Sequence, residues 1–149
     1  MVGIGGVTRL TDSGLSIVDW KPIFGIIPPL SETDWIEEFN NYKEYPEYKK
    51  INNQIDLSSF KKIYFWEYLH RILGRIIGLY FLCPFLYLIL SKQIDRQNFF
   101  KIGGLVLLVA LQGLLGWYMV KSGLTKSPYI SHFRLMLHFL AAMLLLLYC

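Results

Sequence analysis

The chain has 149 residues, of which 54% are hydrophobic, 16% are aromatic and 17% are charged, and its formal net charge is +4. It is more apolar than an ordinary soluble domain. Its lysines and arginines are scattered, so the positive charge does not indicate a nucleic-acid-binding surface. The two cysteines, Cys83 and Cys149, lie in apolar runs and form no metal-binding or disulfide pattern. We therefore expect both to be buried as small hydrophobic residues.

The apolar residues are concentrated in three runs, at 68–90, 102–120 and 133–149. A helix needs about 20 mostly apolar residues to cross a bilayer. The middle run fits best, because it contains no charged residue and is flanked by Lys101 and Lys121. The pattern predicts an all-α membrane protein, built as a four-helix transmembrane bundle with a long outer loop.

The chain divides into apolar and polar segments in a regular order. We predict the end of transmembrane helix 1 at 1–9, an outer loop with short amphipathic helices at 10–62, transmembrane helix 2 at 63–90, an inner loop at 91–101, transmembrane helix 3 at 102–120, an outer loop at 121–128 and transmembrane helix 4 at 129–149. The 91–101 loop is assigned to the inner side because it has three basic residues against two in the 121–128 segment. Because both terminal segments are apolar, we expect the chain to be incomplete.

Local signals place several turns and helix starts. Gly14 is expected to take the left-handed position of a polar turn. A capping-box pattern predicts an amphipathic helix at 31–43, and Asp56 offers a cap for the next helix. The charged stretch 45–53 is expected to be irregular. Ser127-Pro128 indicates the start of the last helix.

The second predicted helix opens with an unusually polar stretch that contains Glu67, His70 and Arg71. Ionisable residues inside a membrane are costly and by default suggest a function. On a helix, Glu67 and His70 lie about 60° apart, so they share one face. Gly74 and Gly78 fall on nearly the same strip and leave space below them. Such a face suits a large, flat, anionic partner that carries a metal.

A second histidine, His138, lies at a similar depth in the last predicted helix, which runs in the same direction as the helix of His70. Two imidazoles from two helices can ligate one metal ion, most economically heme iron in a helix bundle. Arginine side chains suit heme propionates because they pair with carboxylates through two parallel hydrogen bonds. The candidates are Arg71, Arg75 and Arg134.

Four alternative roles for these polar residues have to be weighed. A carboxylate-bridged di-iron site is disfavoured because the last two predicted helices carry no acidic residue. Zinc is disfavoured because no third ligand is evident. The polar residues can also satisfy one another in a bundle that binds nothing. Finally, the two histidines can serve a membrane cytochrome of b type that only transfers electrons, although such a carrier has no need of Glu67.

Five sequence stretches together resemble the heme A synthase family of cytochrome c oxidase assembly proteins. They are Gly5-Gly6-Val7-Thr8-Arg9-Leu10-Thr11-Asp12-Ser13-Gly14-Leu15-Ser16, Pro28-Pro29, Glu67-Tyr68-Leu69-His70-Arg71 with Gly74-Arg75, Gln112 to Leu124, and Ser131-His132-Phe133-Arg134 with His138. They occur in the family's order across essentially the whole chain. The 10–62 loop lacks the cysteine pair found in some Gram-positive members, so the chain resembles the form shared by mitochondria and proteobacteria.

The resemblance implies eight membrane helices in two pseudo-equivalent halves, of which this chain matches the first. It implies oxidation of the C8 methyl group of heme O to the formyl group of heme A, with the oxygen taken from water. His70 and His138 would hold or border the substrate heme, and Glu67 would be the essential acid beside it. A heme b in the second half would carry electrons away, so we expect this half alone to be inactive.

The resemblance also sets expectations about location and partners. It implies a multi-pass protein of the mitochondrial or bacterial inner membrane, surrounded by lipid. Heme O synthase and an electron-transfer protein are the expected partners, and a homo-oligomer is compatible with the family. No nucleic acid is expected.

Overall fold

The computed structural model describes residues 1–20, 24–125 and 127–148. The described chain is helical, with no strand in these ranges. Its six α-helices are α1 (Val2–Leu10), α2 (Glu32–Lys43), α3 (Pro46–Lys50), α4 (Leu57–Leu90), α5 (Arg96–Gly123) and α6 (His132–Tyr148), and a short 3₁₀ turn lies at Phe24–Ile26.

Side-chain caps fix where three of these helices begin. Ser31 Oγ accepts a hydrogen bond from the Asp34 amide at 3.1 Å, and Asp34 Oδ2 accepts one from the Ser31 amide at 3.0 Å. This reciprocal pair confirms the predicted capping box at the start of α2. Asp56 accepts from the Ser59 amide at 3.0 Å and caps α4 as predicted. Asp95 caps α5 in the same way. Each cap typically stabilises a helix by about 1 kcal/mol.

The helices differ in extent from the predicted transmembrane segments. Helix α4 begins at Leu57 rather than 63, and α5 covers Arg96–Gly123 rather than 102–120, because the aspartate caps lie outside the apolar runs. Helix α6 begins at His132. Ser127 does not start that helix; its Oγ accepts a hydrogen bond from the Tyr129 amide at 3.2 Å. Which parts of these helices lie within the bilayer stays a prediction.

The turn after α1 differs from the prediction in an instructive way. Asp12, not Gly14, takes the left-handed conformation, with φ of 48°, and no described glycine has positive φ. The Ser13 amide donates to the Thr8 carbonyl at 2.9 Å, and the Asp12 amide donates to the Arg9 carbonyl at 3.4 Å. This pair of bonds is a Schellman motif, which needs a left-handed residue directly after the helix cap. Aspartate tolerates that conformation better than most side chains do.

Two further expectations were wrong. The stretch 45–53 was expected to be irregular, but Pro46 begins the short helix α3, because a proline with a fixed φ suits the first helical position. Cys83 was expected to be buried, but it is exposed on the surface of the chain, on the apolar helix α4. Cys149 lies outside the described residues.

The packed core lies between the outer loop and the first turns of α4, not between the long helices. Its buried members are Val18, Phe39, Tyr42, Phe60 and Tyr64. The Phe60 ring lies 5.0 Å from the Phe39 ring and 5.2 Å from the Tyr42 ring, measured between centroids. Aromatic pairs at such distances add about 0.5–1.5 kcal/mol beyond the area they bury. This cluster fixes the outer loop on α4 and so positions the residues around Glu67.

Unlike the aromatic core, the apolar parts of the long helices are not buried within the chain. Two of them, Leu57–Leu90 and Arg96–Gly123, are long and apolar enough to cross a membrane, and none of the residues in their most apolar windows is buried. Helix α6 is shorter and also apolar. Large side chains such as Leu79, Leu107 and Leu147 are exposed. In space, α1 packs on α4, α4 on α5, and α5 on α6. The chain is therefore an all-α membrane bundle whose apolar surface faces outward.

Candidate functional site

Glu67 lies at the centre of a set of hydrogen bonds that joins α4 to the outer loop. The residue is 4% exposed. Ser16 Oγ donates to Glu67 Oε2 at 2.7 Å, and the Ile17 amide donates to the same oxygen at 2.9 Å. Arg71 Nη2 donates to Glu67 Oε1 at 2.6 Å. Both carboxylate oxygens are thereby fixed, which satisfies a buried group that would otherwise be costly.

Arg71 also contacts the loop directly. Its Nη2 atom donates to the Ile17 carbonyl at 2.9 Å, and its guanidinium carbon lies 5.9 Å from the centre of the Trp20 ring. We call the set Ser16, Ile17, Glu67 and Arg71 the Glu67 clamp. The sequence indicated Arg71 as a propionate partner; the structure places it on Glu67, four residues earlier on the same helix.

Each of the two candidate ligands packs against a glycine of the neighbouring helix. A Cβ atom built on Gly5 of α1 would lie 3.2 Å from His70 Cε1, and one built on Gly116 of α5 would lie 3.1 Å from His138 Cε1. These distances are tighter than an ordinary van der Waals contact, so a side chain at either position would press on the imidazole ring. Helices α1 and α5 thus hold the rings of α4 and α6 in equivalent ways.

Both imidazoles have an unusual polar environment. The Nδ1 atoms of His70 and His138 are buried and have no hydrogen-bond partner within the described part of the chain. Buried polar atoms are nearly always hydrogen-bonded, so an exception needs a physical reason, such as a ligand that fixes the ring. That the two histidines ligate one group stays a prediction.

The donor set indicates which kind of metal group fits. Within the described ranges, no cluster of three or more His, Cys, Asp or Glu side chains is arranged to hold a metal ion. A porphyrin supplies four nitrogen ligands itself and needs only axial ligands from the protein. A pair of imidazoles on two helices therefore fits a heme better than it fits a bare ion.

The other two arginines lie at different places in the bundle. Arg134 Nη1 donates to the Tyr118 carbonyl at 2.9 Å, and its guanidinium carbon lies 3.8 Å from the centre of the Tyr118 ring. Arg134 therefore joins α6 to α5. Arg75 is partly buried and lines a cavity together with Arg71. A propionate-binding role for the three arginines stays a prediction.

Two cavities meet at Arg71. The larger, of about 530 Å³, lies between the outer loop and α4. The smaller, of about 260 Å³, lies beside Trp20 and Trp117, whose ring centroids are 6.2 Å apart. Lys121 Nζ lies 4.9 Å from the centre of the Trp117 ring. The larger volume is in the range of small-molecule pockets, about 300–1,000 Å³.

The sequence identified the charged residues but not their partners. Ser16 and Ile17 are about 50 residues from Glu67 along the chain, and no periodicity links them. Gly116 is predicted only to allow close helix contacts, and its contact with His138 depends on the packing of α5 on α6. The family-like stretch 5–16 was the only signal, since it contains both Gly5 and Ser16.

The chain is similar to known proteins along its whole length. The profile of a family described as "Cytochrome oxidase assembly protein" matches residues 1–149. Proteins named "Heme A synthase" are similar to the chain: one from Nitrosospira multiformis is 56% identical over 93% of the chain, one from Orientia tsutsugamushi 51% over 97%, and one from Sphingopyxis alaskensis 49% over 98%.

The matched region is a limited part of those relatives. The chain spans 39%, 40% and 41% of their lengths, respectively. No solved structure matches the chain at a significant level. A family match over every residue, with relatives at about half identity, shows the family. The chain belongs to the heme A synthase family of cytochrome oxidase assembly proteins.

Proposed function

We propose that this chain supplies the heme O site of a heme A synthase, in which the C8 methyl group of heme O is oxidised to the formyl group of heme A. The observation that carries the proposal is the pair of imidazoles, His70 and His138, each with a buried Nδ1 atom that lacks a partner among the described residues and each packed against a glycine. The family membership and the names of the relatives support the same reaction.

The overall reaction defines what the site has to do. A methyl group and one water molecule become a formyl group, four protons and four electrons. His70 and His138 would hold the heme, and Arg71, Arg75 and Arg134 would supply the positive charge for its propionates. The protein must also accept protons close to the methyl group and pass the electrons to a one-electron acceptor, for which we propose a heme b held elsewhere in the intact protein.

Glu67 is the group that we assign to proton transfer. It lies one helical turn from His70 on the same face of α4. A carboxylate offers about four acceptor positions, and three donors occupy positions on Glu67. Among the described residues one acceptor position is left, and we assign it to a proton from the substrate. A carboxylate that is held rigidly needs little rearrangement when it acts as a base.

A second function remains, that of a membrane cytochrome of b type that only transfers electrons. It uses the same two histidines. It gives no reason for a buried carboxylate that is held by three donors beside the heme, because electron transfer moves no proton at that place. The Glu67 clamp therefore favours the enzyme.

The setting of the proposed reaction follows from the family. We propose a multi-pass protein of the inner membrane, mitochondrial or bacterial, which receives heme O from heme O synthase. Iron enters the reaction only as part of the heme. A one-electron acceptor and a homo-oligomer are further parts of the proposal.

The test uses the intact protein encoded by the gene, in cells that produce heme O. Hemes are extracted and heme A is quantified for the wild type, Glu67→Ala and His70→Ala. We expect heme A from the wild type, bound heme O without heme A from Glu67→Ala, and loss of bound heme O, with heme b retained, from His70→Ala. A wild type that binds heme and makes no heme A would rule out the synthase and leave the cytochrome.

A further inference from the structure

Ser16 is the one side chain of the outer loop that donates a hydrogen bond to Glu67 among the described residues. It is 1% exposed, and its hydroxyl lies 2.7 Å from Glu67 Oε2. The same hydroxyl lies 3.2 Å from the Ser13 carbonyl, so the carboxylate is the closer of its two acceptors. A buried hydroxyl that reaches a charged group forms one of the stronger hydrogen bonds in proteins.

The three donors act on different atoms of the carboxylate. Arg71 fixes Oε1, whereas Ser16 and the Ile17 amide share Oε2. A glutamate side chain has three rotatable bonds, and fixing both oxygens is what sets the plane of its carboxylate. Without the Ser16 hydroxyl, Oε2 keeps only the Ile17 amide as a donor, so the orientation of the carboxylate is held less tightly.

We propose that Ser16 is a positioning residue for Glu67: its hydroxyl sets the orientation in which the carboxylate faces the substrate. The inference rests on the proposed function, because it assigns to Ser16 a part in the reaction that Glu67 performs. Ser16 itself does not touch the substrate. Its effect is on the rate of conversion and not on the amount of heme bound.

The fold allows this role to be separated from a structural one. The outer loop is held on α4 by the aromatic cluster around Phe60 and also by the hydrogen bond from Arg71 to the Ile17 carbonyl. Neither depends on the Ser16 hydroxyl. Ser13 provides a matched control, since it is 0% exposed in the same loop and its hydroxyl contacts Thr11 rather than Glu67.

The experiment compares Ser16→Ala with Ser13→Ala in the intact protein. The first readout is hydrogen exchange at the Ile17 amide, which donates to the same carboxylate oxygen. The second is the rate of heme A formation per bound heme. For Ser16→Ala we expect faster exchange, unchanged heme content and conversion slower by about tenfold or more, as for the loss of a hydrogen bond to a charged group. Ser13→Ala should resemble the wild type in all three.

Each outcome decides the matter. Unchanged exchange in Ser16→Ala would show that the hydroxyl does not hold the carboxylate. Faster exchange with unchanged conversion would show that the orientation has no effect on the reaction. Loss of heme in proportion to activity would make Ser16 a structural residue. Any of these overturns the proposal. A wild type without heme A formation contradicts the proposed function instead, and the exchange readout still tests the clamp.

Discussion

Gly116 of α5 lies directly against the imidazole of His138 of α6. A Cβ atom there would come within 3.1 Å of Cε1 and 3.7 Å of both ring nitrogens. Gln112, one helical turn earlier on α5, donates to the His138 carbonyl at 2.9 Å. Gln112 thus holds the backbone of α6 at His138, and the His138 ring lies in the space that Gly116 leaves by having no side chain.

Replacing Gly116 should therefore displace the His138 ring. We expect Gly116→Val to weaken heme binding by about 1–3 kcal/mol, the usual cost of inserting atoms into a packed site. Gly113 is the matched control, since it lies one turn earlier on the same helix and a Cβ there meets nothing within 4 Å. Titration with heme, followed by absorbance, should separate Gly116→Val from Gly113→Val. Equal affinities would contradict the contact.

The same comparison is available on α1. A Cβ on Gly5 would lie 3.2 Å from His70 Cε1, whereas one on Gly6 meets nothing within 4 Å. We expect Gly5→Val to disturb the His70 ligand and Gly6→Val to leave it in place, which the absorbance spectrum of bound heme can distinguish. If Gly6→Val has the larger effect, α1 does not pack on α4 in the described orientation.

The Glu67–Arg71 pair should be strongly coupled. Removing Arg71 alone leaves Glu67, which is 4% exposed, with a charge that lacks its ion-pair partner. Breaking a buried pair in this way typically costs about 3–5 kcal/mol. We expect the double variant Glu67→Ala with Arg71→Ala to be more stable than Arg71→Ala alone, measured by chemical unfolding in detergent. Additive losses would indicate that the pair is effectively solvated.

The outer loop should lose stability as the pH rises. Burial raises the pKa of Glu47 to about 7 from 4.5, and the negative charges of Glu67 and Asp12 act in the same direction, while a hydrogen bond from Tyr42 opposes them. Since the folded state holds the proton more tightly, the stabilisation is complete below about pH 4.5 and is lost as the pH rises toward 7.

Near-ultraviolet circular dichroism of the aromatic cluster during denaturation, at several pH values, measures this effect. We expect Glu47→Gln to flatten the pH dependence between 4.5 and 7, because the amide cannot ionise. Glu44→Gln, an exposed change in the same segment, should keep the wild-type profile. A wild-type loop whose stability rises over this range would contradict the assignment.

How much of the fold and the candidate site can be predicted from the sequence depends on how far apart the interacting residues are along the chain. The helix starts at Ser31 and Asp56 were predictable because a capping side chain and the amide that donates to it are three residues apart. The functional importance of the charged residues of α4 could be predicted because ionisable side chains are rare at the start of an apolar run. The partners Ser16 and Ile17 of Glu67 were not predictable, since they lie about 50 residues away along the chain and are brought to it by the packing of the loop on α4.

The left-handed residue after α1 shows that composition alone can fail to predict the conformation even of a single turn. Composition favours Gly14, but the Schellman bonds place the left-handed residue at Asp12, directly after the cap. We expect Asp12→Gly to stabilise the turn, because glycine takes positive φ without steric cost, and Asp12→Val to destabilise it by about 1–2 kcal/mol. Gly14→Ala should lower the stability less. Its Cβ would lie 3.2 Å from Ile130 Cδ1, and this methyl group at the end of a flexible side chain can move away. Chemical unfolding of the three variants gives the order. If Gly14→Ala is the most damaging, Gly14 rather than Asp12 carries the turn.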